Sequence, residues 1–314
     1  MIGAVRLCDG RVEFRWKRWR NKKRQEVSSC LMVLFRTGGS GSITYGGPVT
    51  TIEQRSQVLT IDWQTFSTAA NETVNFNQPG PSSLAINYVV GGVPSVLEGA
   101  LNASGRVLIL NSAGITFTGT SHVNVGALLA TTAMTIDGDP SQNASFSGSG
   151  SGQVINRGRI EVSNGGFAIL AAPYVENTGF IKADLGTVAL AGTNRFTLDL
   201  RGDGLINFVV PADAVEKIKA DGAKAGVNNS GTLQARSGQV LISASVATQV
   251  VNAAVNLSGV VDASAFAADG KGGSVLVTSA GDIDLGGAVT AAGQGTAAGS
   301  SPRRRGRTGS RPRR

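Results

Sequence analysis

The sequence predicts an all-β protein, specifically a right-handed parallel β-helix (a β-solenoid) with a short insertion outside the coil. Two observations predict this class. The first is composition: the 314 residues include 43 Gly and only 5% aromatic residues. Gly, Ala, Val, Thr, Ser and Asn dominate over helix formers, which favours short strands joined by many turns. The second is a repeated pattern of turn, strand, turn and strand, with apolar residues at every second position of the strands.

Four segments carry this repeat, and they start at residues 156, 177, 229 and 257. Each has a polar turn with a glycine, a short alternating strand, a second turn with a glycine and a second strand. The first glycines are Gly158, Gly179, Gly231 and Gly259, and the second are Gly165, Gly186, Gly238 and Gly273. The pattern predicts one coil per segment, with parallel strands about 4.8 Å from those of the next coil. The handedness follows from the crossover preference.

The repeat also predicts what lies at the corners and in the interior. The glycines are expected to supply the positive φ of a tight corner. Asn156, Asn177 and Asn229 occupy equivalent turns and are expected to stack into a ladder of amide hydrogen bonds. Alternate residues after the second glycine are expected to face one interior: Phe167 and Ile169, Val188 and Leu190, Val240 and Ile242, and Val275 and Val277.

An insertion separates the second and third segments. Its residues 211–222, PADAVEKIKADG, begin with Pro and acidic residues and end with Lys residues and Gly. These start and stop signals predict a short helix outside the coil stack.

Composition divides the chain into a basic head (1–37), a β-helix domain (38–290) and an Arg/Gly/Pro-rich tail (291–314). Residues 1–36 and residues 301–314 each carry a net charge of +7, and the chain between them carries −6. The tail is expected to be disordered. The tails could bind nucleic acid or acidic lipid, but the body has no basic stripe, so no specific nucleic-acid partner is predicted. Such abrupt changes predict a fragmentary or frame-shifted member of a longer protein.

Export signals in the head are weak. The apolar run CLMVLF has six residues, whereas a signal peptide needs about 7–15, so a signal peptide is not convincing. Cys8 and Cys30 both lie in the head, and a body without cysteine is compatible with export.

The segments at residues 60–89 (TIDWQTFSTAANETVNFNQPGPSSLAINYV) and 105–132 (GRVLILNSAGITFTGTSHVNVGALLATT) closely resemble a known family. They are similar to the N-terminal secretion domain of filamentous-haemagglutinin-like proteins, the exported partners of bacterial two-partner secretion. The resemblance covers about residues 38–290. It implies a capped β-helix that is recognised by the periplasmic domains of an outer-membrane β-barrel transporter. It also implies a secreted or cell-surface location, with host-cell or haem-protein ligands engaged by regions further downstream.

The resemblance implies the recognition residues as well. The candidates that match the hallmark segments are Asn71, Asn75, Phe76, Asn111, Gly114 and Asn124. The family commonly has Asn-Pro-Asn-Gly where this chain has Asn111-Ser112-Ala113-Gly114. Pro normally preorganises such a turn, so the departure bears on the folding rate or on transporter recognition and leaves the fold expectation unchanged.

The predicted function is a non-enzymatic secretion and adhesion module without a cofactor, a metal or catalytic residues. The alternative is a carbohydrate-active β-helix enzyme, because glycoside hydrolysis needs two carboxyl groups about 5–10 Å apart. The candidate pairs are Asp137 with Asp139, Asp199 with Asp203, and Asp282 with Asp284. We interpret them as solvated turns. A Ser-His-Asp triad would have to use His122, the single His of the chain, which we interpret as a structural or surface residue.

Overall fold

The computed structural model describes residues 31–193, 195–199, 207–209, 226–245, 254–266 and 270–293. The strands of these residues, in chain order, are β1 (Met32–Gly38), β2 (Gly41–Gly46), β3 (Val49–Gln54), β4 (Val58–Thr65), β5 (Thr73–Asn77), β6 (Leu84–Val89), β7 (Ser95–Leu97), β8 (Ala100–Ala103), β9 (Arg106–Leu110), β10 (Ile115–Phe117), β11 (His122–Val125), β12 (Ala127–Thr131), β13 (Thr135–Asp139), β14 (Asn143–Ser147), β15 (Gln153–Asn156), β16 (Arg159–Val162), β17 (Phe167–Ala172), β18 (Tyr174–Asn177), β19 (Phe180–Lys182), β20 (Thr187–Gly192), β21 (Phe196–Asp199), β22 (Asn207–Val209), β23 (Val227–Asn229), β24 (Thr232–Gln234), β25 (Gln239–Ala244), β26 (Val255–Leu257), β27 (Val260–Asp262), β28 (Ser274–Ser279), β29 (Ile283–Leu285) and β30 (Ala288–Thr290).

Three long sheets form the walls of a coil. Sheet 1 has the order β1-β4-β6-β9-β12-β17-β20-β25-β28, sheet 2 the order β7-β10-β15-β18-β23-β26-β29, and sheet 3 the order β2-β3-β5-β8-β11-β16-β19-β24-β27-β30. The chain visits sheets 2, 3 and 1 in turn, as in β15, β16 and β17, and each strand pairs in parallel with its equivalent one coil later. The predicted β-helix is confirmed.

Antiparallel strands close the N-terminal end of the coil. Strand β1 pairs antiparallel with β4, and β2 pairs antiparallel with β3, whereas β4 and β3 pair in parallel with the strands that follow. Strands β3 and β4 of the first coil are therefore covered by β2 and β1 and do not present bare edges, which would otherwise template association with other chains. This is the predicted cap.

The interior is filled by aliphatic side chains stacked coil upon coil. One continuous buried cluster runs from Leu31 to Ala263. Its largest side chains lie near the cap, where Trp63 and Phe66 meet edge to face with ring centroids 5.0 Å apart. Later coils use Val, Leu, Ile and Ala, which explains how so large a core needs so few aromatic residues.

The asparagine ladder is confirmed. Nδ2 of Asn156 donates to Oδ1 of Asn177 over 2.7 Å, and Nδ2 of Asn177 donates to Oδ1 of Asn229 over 2.7 Å. All three side chains are fully buried at the ends of β15, β18 and β23. Burial is tolerated because each amide in the row is hydrogen-bonded.

The expected interior register is wrong in the first repeat and correct in the others. Val188 pairs with Val240, as expected, but its partner in the preceding coil is Ala168 and not Phe167. Phe167 and Ile169 face outward, into a second apolar cluster. Strand β17 is buried on both faces, so its sequence shows no alternation that could fix the register, and a one-residue slip exchanges the faces.

The expected positive φ is found at one of the eight corner glycines, Gly165, and is wrong for the other seven. The residues with positive φ at equivalent corners are Gly165 (79°), Leu185 (58°) and Ser237 (52°), each one position before the stacked glycine. The stacked glycines are needed because their backbones touch. A Cβ on Gly179 would overlap the carbonyl oxygen of Gly158 in the preceding coil.

A four-stranded antiparallel sheet of order β13-β14-β21-β22, here called the outer sheet, lies outside the coil. Phe146 of β14 and Phe196 of β21 stack with centroids 4.8 Å apart and planes 8° from parallel. Both belong to the second apolar cluster, with outward residues of sheet 1 such as Leu129 and Ile169. The extra-helical insertion is thus present as strands, whereas the helix expected at 211–222 lies outside the described residues. Nowhere in the described ranges is there a helix long and apolar enough to cross a membrane.

Candidate functional site

An open groove lies where sheet 3 turns toward sheet 1 in the first coils. Its cavity volume is about 430 Å³, and the residues that line it are Asn75, Phe76, Asn77, Gln78, Asn102, Ala103, Ser104 and Asn124. None of these residues carries a charge. Three of them form one row across successive coils, because Asn75 of β5 pairs with Asn102 of β8, which pairs with Asn124 of β11.

The groove is shaped by connections of unequal length between sheet 3 and sheet 1. The connections from sheet 3 to sheet 1 span residues 78–83 in one coil, 104–105 in the next and 126 in the third. The longest connection is fixed by Gln78, whose Oε1 accepts a hydrogen bond from the Gly105 amide at 2.7 Å and whose Nε2 donates to Oε1 of Gln54 at 3.1 Å. These hydrogen bonds of Gln78 link the long connection to the preceding and the following coil, and they hold it beside the shorter connections.

The asparagine row has unused hydrogen-bonding capacity. Nδ2 of Asn102 donates to Oδ1 of Asn75 over 3.0 Å. Within the described residues, Nδ2 of Asn75, Oδ1 of Asn102 and the whole amide of Asn124 have no side-chain partner. Asn124 is exposed, and the other two are half-buried. The groove therefore offers amide donors and acceptors spaced by one coil.

Two other hallmark residues build a turn elsewhere. Asn111 is fully buried. Its Nδ2 donates to the Val93 carbonyl and to Oγ of Ser95, both at 3.0 Å, and its Oδ1 accepts from the Ala113 amide at 3.0 Å. The Gly114 amide closes the turn onto the Asn111 carbonyl at 3.0 Å. The predicted turn is confirmed. The hydrogen bond that closes it joins Asn111 and Gly114, the two positions that match the family pattern.

Gly114 is required at this turn for two reasons. Its φ is +112°, and a Cβ there would lie 2.9 Å from the carbonyl oxygen of Gln153. The turn is thus clasped between the 93–95 segment and the start of β15.

The model of the TPS secretion domain family matches residues 36–297, which is most of the chain. This chain belongs to the TPS secretion domain family. TPS denotes two-partner secretion, so the resemblance drawn from the quoted segments is confirmed.

Individual relatives agree with the family match. A heme/hemopexin-binding protein of Haemophilus influenzae is 31% identical over 206 residues, which are 63% of this chain and 22% of that protein. The toxin CdiA of Escherichia coli is 29% identical over 198 residues, which are 54% of this chain and 6% of the toxin. The chain therefore spans about a fifth or less of the length of these relatives.

The solved HMW1 secretion domain of Haemophilus influenzae has a similar fold. The match covers 81% of this chain and 64% of that one, with a TM-score of 0.64 and 23% sequence identity. It supports the β-helix assignment of this TPS domain.

The structure gathers some of the predicted recognition residues and separates others. Asn75, Phe76 and Asn124 line the groove, but the Phe76 side chain is 2% exposed and belongs to the core. Asn71 is exposed in the turn before β5. Asn111 and Gly114 lie at the other corner described above. The six candidates thus do not form one surface in this TPS domain.

Five residues of the groove were not predicted from the sequence: Asn77, Gln78, Asn102, Ala103 and Ser104. Aligning VNFN (74–77), LNAS (101–104) and VNVG (123–126) would have placed Asn75, Asn102 and Asn124 in one row. The signal was weak, because successive members are separated by unequal numbers of residues.

Beyond the groove, the row of Asn75, Asn102 and Asn124 continues into charged side chains. It continues through Glu161, Lys182 and Gln234. Behind it, Asp184 is fully buried and bonds to Arg236 through Nε at 3.1 Å and Nη2 at 2.6 Å. Burial alone would raise the pKa of Asp184, but the hydrogen bonds from Arg236 and Gln234 together lower it below its usual value.

Of the described carboxylates considered for sugar chemistry, Asp137, Asp139, Asp282 and Asp284 are exposed and Asp199 is half-buried. Asp137 and Asp139 lie on strand β13 and not in a turn as expected. Hydrogen bonds from the Ser141 side chain and backbone lower the pKa of Asp139. Asp282 and Asp284 are exposed on the last described coil, and Asp203 lies outside the described residues.

The other expected features can be placed as well. His122 is exposed on sheet 3, in register with Ala100 and Arg159. Within the ranges that the structure describes, no group of three His, Cys, Asp or Glu side chains is arranged to hold a metal ion. Asp199 lies on β21, opposite Asn143 of β14.

Proposed function

We propose that this TPS domain directs the export of the polypeptide that carries it by docking to the periplasmic domains of an outer-membrane β-barrel transporter. In this proposal it is a non-enzymatic secretion and adhesion module whose product is secreted or held at the bacterial surface. The family match over residues 36–297 carries the proposal.

The six candidate residues would contribute in two ways. Asn71, Asn75 and Asn124 are exposed or half-buried, so their amides are available for direct contact with the transporter. Phe76 and Asn111 are buried, and Gly114 has a conformation that favours glycine. These three would act by holding the recognition surface in shape.

Ligands of the mature product are a separate matter. One relative is a heme/hemopexin-binding protein, and this chain covers 22% of it. We infer that host-cell or haem-protein ligands would be bound by regions outside this domain, and that the present chain is the export module of a larger exoprotein.

An export assay tests the proposal. The full chain, preceded by a cleavable signal peptide, is expressed in a Gram-negative host with and without the transporter from the source organism. The chain should reach the medium or cell surface only when the transporter is present, and remain periplasmic otherwise. Equal release in both strains would overturn the export function.

A second measurement addresses the enzyme alternative. Purified chain incubated with pectin-like polysaccharides and host glycans should produce no new reducing ends or unsaturated products. Release of products that is lost on replacing Asp282 and Asp284 by Asn would favour the carbohydrate-active reading instead.

A further inference from the structure

The lining of the groove restricts what can bind there. All eight lining residues are uncharged. The nearest carboxylate bonded to the lining is Glu53, whose Oε1 already accepts a hydrogen bond from Nδ2 of Asn77 at 2.5 Å. Glu161, the next residue in the row after Asn124, is already paired with Arg159 at 2.9 Å and with Lys182 at 4.0 Å. A charged group entering the groove would therefore lose water without meeting a carboxylate free of other partners, which costs free energy. The site therefore fits an uncharged ligand.

The free hydrogen-bonding groups define the ligand further. Nδ2 of Asn75 is a donor, Oδ1 of Asn102 is an acceptor, and the amide of Asn124 is both. Alternating donors and acceptors complement the N–H and C=O groups of a peptide main chain, which an extended segment presents along its edges.

A sugar would meet a less suitable surface. Sugar rings are commonly held against an exposed aromatic face, and Phe76, the aromatic residue of the lining, has a side chain that is 2% exposed. What the groove does present is a row of carboxamides, which favours a peptide.

We propose that the groove formed by Asn75, Asn102 and Asn124 holds an extended, uncharged peptide segment of the transporter's periplasmic region by hydrogen bonds to its main chain. The proposal rests on the export function above and identifies the chemistry of its contact. Docking by uncharged amides depends little on ionic strength, because salt screens charge–charge attraction and leaves neutral hydrogen bonds nearly unchanged.

Binding of the full chain to the recombinant periplasmic region of the transporter, measured by calorimetry, tests this. The Kd should change by less than about threefold between 50 and 500 mM NaCl. Asn124→Ala should raise the Kd about five- to tenfold, since each net hydrogen bond contributes about 1 kcal/mol. Asn124→Asp should raise it more, because it places a charge in a neutral groove.

Asn164 supplies the matched control. It is an exposed asparagine at a corner outside the groove, so Asn164→Ala and Asn164→Asp make the same chemical changes elsewhere. Both should bind with the affinity of the parent chain. Circular dichroism of all four variants should match the parent, because Asn124 makes no side-chain hydrogen bond within the described residues.

The outcomes separate the two proposals. No binding of the parent chain to the periplasmic region would overturn the export function. Parent-like affinity of both Asn124 variants would overturn the groove assignment alone. A tenfold or greater loss of affinity in 500 mM NaCl would show that charged surfaces carry the contact. Binding of a neutral oligosaccharide that is lost in Asn124→Ala, while transporter binding is kept, would assign the groove to a glycan.

Discussion

The indole nitrogen of Trp63 donates a 2.9 Å hydrogen bond to Oδ1 of Asn87 in the interior of the coil. Asn87 stands in the interior row between Ile61 and Ile109, and its Nδ2 donates to the Leu108 carbonyl at 3.1 Å. A polar side chain in an apolar row is tolerated here because both ends of its amide are bonded. The Trp of the quoted IDW motif is thus fixed in orientation as well as buried.

Asn87→Ala should therefore be strongly destabilising. It leaves the buried indole N–H without a partner and opens a small cavity, so we expect the free energy of unfolding to fall by about 2–4 kcal/mol. Urea unfolding followed by far-UV circular dichroism measures the change. Asn164→Ala, at an exposed corner, should change it by less than about 0.5 kcal/mol. Similar effects of the two substitutions would contradict the role of the Trp63 contact.

The asparagine ladder predicts that substitution of Asn177 destabilises the domain more than substitution of Asn229. Asn177 bonds to both Asn156 and Asn229, whereas Asn229 receives one ladder bond. Asn177→Ala should cost about 2–4 kcal/mol, because it removes two bonds and leaves buried amide groups unpaired. Asn229→Ala should cost less. Chemical denaturation of the two variants tests the order, and equal or reversed effects would argue against a continuous ladder.

The close stacking of corner glycines predicts a strict size limit. Gly179→Ala should lower the free energy of unfolding by about 3 kcal/mol, because the Cβ overlaps the Gly158 carbonyl and cannot be relieved without parting two coils. Gly165→Ala should cost about 1 kcal/mol, since φ is +79° but no atom lies within 4 Å of the new Cβ. Gly119→Ala, with open space around it, is the neutral control. Thermal melts of the three variants rank them, and a harmless Gly179→Ala would refute close contact as the reason for the glycine.

The hydrogen bonds between the buried Asp184 carboxylate and the partly exposed Arg236 side chain predict that a substitution at Arg236 has a pH-dependent effect on stability. In the native domain the pKa of Asp184 is lowered, so its stabilising contribution is complete above the unfolded-chain pKa of about 3.9. That contribution is lost as the pH falls through the folded value. Arg236→Met removes the side-chain hydrogen bonds of residue 236, so the pKa of Asp184 should rise from its native value. Gln234, the amide of residue 236 and Lys182, 3.9 Å away, remain beside the carboxylate. The variant should lose about 1.5–3 kcal/mol at pH 7, the contribution of hydrogen bonds to a charged group, and less at pH 4, where more of the carboxylate is protonated.

Urea midpoints at pH 7 and pH 4 measure that difference. The control is Arg159→Met, whose partner Glu161 lies on the outer face with a side chain 34% exposed. An exposed pair contributes about 0–1 kcal/mol, so this variant should be nearly parent-like at both pH values. A deficit of Arg236→Met that is the same at pH 4 and pH 7 would rule out the lost hydrogen bonds to the Asp184 carboxylate as its cause.

How far the sequence predicted the structure differs between elements for physical reasons. Strands such as β20 and β25 were predictable because a glycine turn precedes each of them and their interior residues, Val188 and Val240, recur at the same place in the repeat. The outer sheet was missed because β14 and β21 are about 50 residues apart and antiparallel, so neither belongs to a repeat. Pairing between segments that are distant in the chain produces no local sequence pattern from which it could be predicted.

The candidate site was predictable in part for the same reason. The hallmark segments pointed to Asn75 and Asn124, but Asn102 between them became visible only through strand register. Asn111 was correctly assigned to a turn because its four-residue segment contains the turn residues Asn and Gly. Its burial and its bond to the Val93 carbonyl depend on a neighbouring coil, which the local sequence does not specify.

The Asn111–Gly114 turn gives a direct test of the missing proline. Ser112 is the second residue of a turn closed by the bond from the Gly114 amide to the Asn111 carbonyl, the position where Pro is favoured. Ser112→Pro should therefore stabilise the domain by about 0.4–1 kcal/mol, mainly by restricting the unfolded chain. Ala113→Pro is the matched control, because the Ala113 amide donates to Oδ1 of Asn111 at 3.0 Å and Pro has no N–H to replace it. Equilibrium unfolding and stopped-flow refolding should show a gain for the first variant and a loss for the second. Destabilisation by both would mean that this turn, unlike the Asn-Pro-Asn-Gly turn of the family, has a backbone that does not accept proline.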